Sequence, residues 1–304
     1  MDRLQGKFSD FDAFKEVIKD WTLDYNILSK GDFSSKFNMF MSEPFLLTRQ
    51  QLNGKIVHSG MAPNGYRTMV IPVNYLVEFV WYNSKVSGRD LLIFPKNNLI
   101  DVVTFNGLDI FLVSVQESLL HGIIEKLGLK TCEHIFKQDY LKVPLSKEFA
   151  KQFFVLANTF LNTAKVNVEQ QYELSNKLVF ALLYYLESTS VKQPKKKAKN
   201  KMLALERAIE VIHNQTDRLY SVSEVCEISG VSKRTLFNAF KEKYKISPSE
   251  YIKVTRLNMV KEDLIHNPTV GIGSVAGKYH FWHMGQFAKD FKKQFGLLPS
   301  EVRL

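Results

Sequence analysis

The segment FKEKYKISPSEY, residues 240 to 251, recurs as FKKQFGLLPSEV, residues 291 to 302, so the chain matches itself at an offset of 51 residues. Any fold must place two copies of one unit within the last hundred residues. Upstream, Val225-Cys226 answers Val275-Ala276 at an offset of 50, so the second copy carries one extra residue between its two helices. In the first copy Val222, Val225, Cys226 and Ile228 make the apolar stripe of a short helix. Gly230 supplies a turn with φ > 0, and Ser232 caps a second helix packed through Leu236 and Phe240. Lys233, Arg234 and Asn238 are left facing outward. The pattern is that of a helix-turn-helix, although a helical hairpin in a larger bundle shares much of it.

Between the copies, Ser247, Pro248 and Glu250 stand as Ncap, N1 and N3, the spacing of a capping box with proline where its missing N–H is harmless. A long helix is predicted from there through Leu257 and Leu264 to about His266. At 1.5 Å per residue it spans nearly 30 Å, close to the ~34 Å between successive major-groove faces of B-DNA.

Charge divides the chain in the same place. Residues 1 to 190 hold 20 Lys+Arg and 20 Asp+Glu, whereas 191 to 304 hold 21 and 11, so the whole net charge of +10 lies in the C-terminal part. That part is the one expected to meet a polyanion. Lys192, Lys195, Lys196, Lys197 and Lys199 cluster in a stretch without periodicity, so 191 to 201 reads as a basic linker. No run of 18 apolar residues exists and the N-terminus is charged throughout, which predicts neither a membrane span nor a secretory signal, hence a cytoplasmic chain. Cys132 and Cys226 lack metal or redox spacing and read as core thiols.

The first 190 residues have a different texture. Residues 10 to 20 suggest a short amphipathic helix, and from Phe33 to Ile110 short alternating runs are broken by turn residues. Asn53-Gly54 and Asn106-Gly107 each lie between apolar alternating segments, which predicts two β-hairpins. NYLVEFVWY (74 to 82) and DLLIFP (90 to 95) add strands around a turn near Gly88, giving at least six strands in a small barrel or sandwich. From Ser146 the period becomes helical through Phe149, Phe153, Leu156 and Phe160. A second helix follows from about 169, where Leu178, Val179, Leu182, Leu183, Tyr185 and Leu186 cover more than one side. Such a helix is either buried in its own domain or shared with a second subunit.

Residues 202 to 304 resemble the DNA-binding domain of the AraC/XylS family of bacterial transcription regulators. The likeness is carried by the helix 202 to 213, the paired units, SPSEYIKVTRLNMVKEDL with Arg256 and Leu257 in the family's R-L position, and the closing FKKQFGLLPSEVR. The resemblance implies an α+β two-domain chain. A cupin-like β-barrel at about 30 to 115 with two trailing helices at about 146 to 188 would form an effector-sensing or dimerisation domain over 1 to 190. An all-α domain with two helix-turn-helix units joined by a long helix would fill 202 to 304. It further implies promoter DNA as partner, RNA polymerase beside it, a small apolar effector in the barrel and a homodimer through 169 to 187. The implied DNA contacts are Ser232, Lys233, Arg234, Asn238 and Lys241 in the first unit, and His283, Met284, Gln286, Lys289 and Lys293 in the second. Arg suits guanine O6 and N7, and Asn suits adenine N6 and N7. Lys253 and Lys292 are generic cations by comparison.

The second unit departs from the family pattern. His280 occupies the turn glycine, Trp282-His283 replaces the small polar capping residues, and Gly285 sits inside the helix. A side chain at His280 must tolerate φ > 0 or the turn changes, and the lost cap and the helical glycine cost about 1 kcal/mol each, which predicts a weaker second reader. Two other function classes compete: a regulator that works by protein contacts with weak DNA binding, and a metal-free cupin that only binds an effector. An enzyme is not expected, because His58, His121 and His134 form no His-x-His pair and no phosphate loop, GxSxG or HExxH occurs; no cofactor or metal is expected either.

Overall fold

A computed structural model describes residues 2–9, 22–30, 33–97, 99–137, 141–163, 167–190, 199–213 and 220–303. The amphipathic helix expected at 10 to 20 lies outside the described residues, as do 191 to 198 of the basic stretch. Contacts group the chain into two compact units. The first takes in the N-terminal residues up to 24, then 33–53 and 58–194; the second takes in 25–32, 54–57 and the chain from 195 onward.

Twelve strands are described, in two sheets. β1 (Asp2–Phe8), β3 (Ser34–Ser42), β4 (Phe45–Asn53), β11 (Leu108–Gln116), β6 (Tyr66–Pro72), β9 (Asp90–Ile93) and β12 (Lys142–Pro144) form a seven-stranded sheet in that order. β2 (Thr22–Ile27), β5 (Ile56–Met61), β10 (Leu99–Thr104), β7 (Glu78–Trp81) and β8 (Ser84–Ser87) form a five-stranded one. Both Asn-Gly expectations need correction. β4 and β5 flank Asn53-Gly54 but lie in different sheets, and so do β10 and β11 around Asn106-Gly107. These pairs carry the chain from one sheet to the other, and neither closes a hairpin. Gly54 adopts φ 132°, outside the left-handed helical well that both centres of a type I′ turn require. Tight hairpins instead join β3 to β4 through Glu43 and Pro44, and β7 to β8 through Tyr82 and Asn83, the latter at φ 43° and 60°. Gly88 is needed for close approach, since a Cβ there would stand 2.0 Å from the Asn74 carbonyl oxygen.

Two helices that the periodicity did not reveal, α1 (Glu117–Leu127) and α2 (Lys130–Lys137), precede the two expected ones, α3 (Lys147–Asn162) and α4 (Val168–Ser188). Ser146 caps α3 by accepting from Phe149 N at 3.2 Å. Leu178, Val179, Leu182, Leu183 and Leu186 of α4 are at most 2% exposed and join the core formed by Phe111, Phe153 and Phe160. That choice settles the destination of the broad apolar face: it is filled by its own unit. Glu187 accepts from Thr131 N and Cys132 N at 3.0 Å each and so caps α2. Burial, with Glu187 second, pushes the Cys132 thiol up to about 12, which leaves it an inert core group. Arg49 binds Asp109 bidentately at 3.1 and 2.8 Å and reaches Asn158 at 2.9 Å, pinning α3 to the seven-stranded sheet.

The second unit contains α5 (Lys199–His213), α6 (Val222–Ser229), α7 (Lys233–Tyr244), α8 (Pro248–His266), α9 (Ile272–Lys278), α10 (Met284–Phe295) and a closing 3-10 turn at Pro299–Arg303. Phe240, Tyr244 and Tyr251 pack as an aromatic cluster under the first helix pair, with ring centroids 4.5 to 5.3 Å apart. Under the second pair Leu257, Val260 and Leu264 of α8 meet Val275, Ala276, Phe287 and Phe291. The segment 25–30 is built into this unit. Gln294 of α10, 2% exposed, donates to the carbonyls of Ile27 at 2.9 Å and Ser29 at 2.7 Å. Asn26 donates to Thr255 Oγ1 at 2.6 Å, and Asn258 donates to Asn26 Oδ1 at 2.8 Å. No helix among the described residues is long and apolar enough to cross a membrane.

Candidate nucleic-acid interface

The two helix pairs share one turn geometry. In the first, Gly230 N donates to Glu227 O and Val231 N to Cys226 O, with Gly230 in the left-handed region at φ 68°. In the second, His280 N donates to Gly277 O and Phe281 N to Ala276 O, with His280 at φ 61°. The turn that the sequence assigns to a glycine is thus kept by a histidine, at the cost of a Cβ in the left-handed well. The correspondence runs at an offset of 50 through Phe281 and at 51 from the caps, Ser232 and His283, onward. Trp282 is therefore the inserted residue.

The caps differ in chemistry. Ser232 Oγ accepts from Thr235 N at 3.2 Å, whereas His283 makes no side-chain cap bond. At the N-terminus of α8, Ser247 accepts from Glu250 N at 3.2 Å, but Glu250 turns its carboxylate to Lys30 at 3.0 Å. Only half of the expected capping box is formed, because the cation competes with the helix terminus for the acidic side chain.

All ten residues expected to face DNA have solvent-facing positions. Ser232, Lys233, Arg234, Asn238 and Lys241 are exposed along α7, while Leu236, Ala239 and Phe240 are buried behind them. On α10 His283, Met284, Gln286, Lys289 and Lys293 are exposed, opposite buried Phe287 and Phe291. The structure also ties one of them down. Asp290 accepts from Gln286 and from Lys253, the latter at 2.5 Å. Burial would raise the Asp290 carboxyl, but these two donors more than offset it and hold the group below the usual carboxylate range. Lys253, generic in the sequence, thereby helps to fix α10.

Arg256 has a role that the sequence did not disclose. Its guanidinium donates through Nε to the Tyr279 carbonyl at 2.8 Å, bonds the same oxygen through Nη2, and lies 4.5 Å over the Phe281 ring. The long helix thus clamps the turn at His280 from below. Asp263, one turn from the end of α8, accepts from Lys278 at 2.7 Å, Asn267 at 2.6 Å and Tyr279 Oη at 3.1 Å. The Lys278 bond leads these contacts in holding its carboxyl low. The R-L position marks Arg256 in the sequence but not what it holds, and the contacts to Lys278 and Tyr279 lie 15 to 23 positions away.

In the first unit a groove of about 780 Å³ opens at one end of the seven-stranded sheet. Lys7, Lys36, Gln51 and Asp109 line it in register across β1, β3, β4 and β11. Phe8, Leu52 and Leu108 supply its apolar wall. His58 is buried, pushed down to about 3 by burial, and bonded to Thr104 Oγ1 at 2.8 Å. Among the described residues no three His, Cys, Asp or Glu side chains converge in a way that could hold a metal ion.

Comparison with known proteins places the likeness in the second unit. Residues 225–304 match a family described as "Helix-turn-helix domain". A Pseudomonas putida protein, "XylDLEGF operon transcriptional activator 2", is 34% identical over 100 residues, 32% of this chain and 63% of the relative. A "Probable thc operon regulatory protein" of Rhodococcus erythropolis is 28% identical over 96 residues, 31% of this chain and 29% of the relative. The match therefore spans less than two thirds of either relative. A solved structure, "the AraC-like transcriptional activator CuxR", aligns over 86% of this chain and 96% of its own at 14% identity with a TM-score of 0.48.

Proposed function

We propose that this chain, whose C-terminal unit carries a double helix-turn-helix domain of the AraC/XylS family, is a transcription regulator that binds double-stranded promoter DNA in a sequence-specific way. One observation carries the reading: two helices with the same turn geometry each present an exposed polar or basic face, and the 19-residue α8 joins them. At 1.5 Å per residue α8 spans ~28 Å, near the repeat of the major groove. Arg234 and Asn238 read bases from α7, and Lys241, Lys289 and Lys293 meet phosphates. The printed name of the Pseudomonas putida relative supports an activator, and an activator would work beside RNA polymerase.

The first unit serves as the sensing and dimerisation part, residues 1 to 190 in the sequence reading. A small effector would fit the groove lined by Lys7, Lys36, Phe8 and Leu52, which sets cationic groups beside an apolar wall. A homodimer through 169 to 187 would use Tyr172 and Tyr184, 59% and 56% exposed, because the leucines from 178 to 186 turn inward.

Selection of bound duplexes from a random pool, followed by titration at several salt concentrations, tests the proposal. A recovered consensus with a salt-dependent affinity is expected. Arg234→Ala should relax preference at one base pair by about 1–3 kcal/mol, and Lys293→Ala should weaken all duplexes alike. Recovery of no consensus would remove the direct DNA-binding reading and favour a regulator acting through protein contacts.

A further inference from the structure

Trp282 is the one-residue insertion that separates the second unit from the first, and it is 72% exposed. Its ring meets His280 edge-on, with centroids 6.1 Å apart, yet most of the indole faces water, and it does not stand alone. Met284, 39% exposed, follows at the first position of α10, where α7 has Lys233. Gly285 then stands where α7 has Arg234, with nothing within 4 Å of where a Cβ would lie. Gln286, the next polar group, is engaged by Asp290, which Lys253 also holds. The leading edge of the second recognition helix thus has an imidazole, a thioether and a gap in place of the hydroxyl, ammonium and guanidinium of the first, with the inserted indole standing just ahead of them. Lys289 and Lys293 on the same helix supply positive charge behind that edge.

We infer that the second unit reads thymine 5-methyl groups in the major groove through Trp282 and Met284, so that its half-site is specified by apolar contact. The occupant follows from place and chemistry. His283 to Gly285 are the structural counterpart of Ser232 to Arg234, Trp282 stands just before them, and a lysine-bearing face follows. The one strongly apolar group on the floor of a major groove is the thymine methyl. Gly285 lets the backbone approach the base edges where a side chain would hold it off. The inference rests on the DNA-binding reading and refines it: one half-site is read by hydrogen bonds, the other by methyls.

The test uses the full chain and a selected duplex in which each thymine in turn is replaced by deoxyuridine, which removes only the methyl. Burying one such group is worth about a three- to five-fold change in affinity. One or two thymines in one half-site should show that loss with the wild-type chain. They should show none with Trp282→Ala or Met284→Ala, while Arg234→Ala should keep it. Because Trp282 is exposed, Trp282→Ala should leave the thermal midpoint unchanged, which separates lost contact from lost fold. A bound duplex indifferent to every deoxyuridine, or one still sensitive with Trp282→Ala, overturns the inference and leaves DNA binding standing. Unchanged affinity of Trp282→Ala with lost stimulation of transcription assigns the patch to a protein partner and also overturns it. Failure to bind any duplex removes the DNA-binding reading itself.

Discussion

The two helix-turn-helix units have the same backbone and unlike surfaces. Gly230 and His280 take the same left-handed turn at φ 68° and 61°, and the same two backbone bonds close behind each. Yet the first unit caps its recognition helix with Ser232 and leads with Lys233 and Arg234, while the second is uncapped and leads with Trp282 and Met284. The second turn is kept by support from elsewhere. Arg256 and Asp263 of α8 grip Tyr279 and Lys278, a brace that compensates for a poor local sequence. Local propensity and tertiary clamping are thus interchangeable ways of fixing one geometry, and the second leaves the surface residues freer to differ.

The deepest test of this equivalence is in the cores. Phe240 and Phe291 occupy matching positions and both are fully buried. Phe240→Ala and Phe291→Ala should each cost about 3–5 kcal/mol in denaturant unfolding. A large inequality would show that the two units are not supported alike. Arg256→Ala comes next. It removes charged hydrogen bonds to a carbonyl and a stacked guanidinium, so a loss of about 1.5–3 kcal/mol is expected, with hydrogen exchange rising at Tyr279 to Phe281 and not at Gly230.

A smaller and opposite pair sharpens the turn argument. His280→Gly should stabilise the second unit by about 1 kcal/mol, and Gly230→Ala should destabilise the first by a similar amount. Space is open around Gly230, so the second effect would be backbone strain alone. Equal signs from the two substitutions would contradict the shared conformation.

The mildest effect is a pH dependence that belongs to the second unit. Asp263 has its folded carboxyl held below the ordinary aspartate value. Its contribution is present above that ordinary value and is lost as pH falls through the lower folded one. Acid should therefore loosen the α8–α9 contact, and Asp263→Asn should flatten that part of the stability profile. Because Lys278 is 59% exposed, the slope should be shallow and should shrink in salt.

By itself the sequence determined the repeat, the extra residue in its second copy, the long helix from Pro248 to His266 and the exposed face of each recognition helix. These are local properties: a 3.6-residue period, a capping serine and a turn at one position state themselves within a few residues. It also located the capping of α3 by Ser146 and most of the strand texture. Strand pairing is another matter. Asn53-Gly54 and Asn106-Gly107 look like hairpin turns in the sequence, but which sheet receives the next strand depends on partners far along the chain. The tertiary structure alone decided those crossings and the inward turn of α4. It alone built residues 25–30 under Asn258 and Gln294, and it alone made Arg256 the brace of the His280 turn. The physical reason is the same in each case: a hydrogen bond or a packed face is satisfied by whatever lies opposite it in space, and sequence order does not record that neighbour.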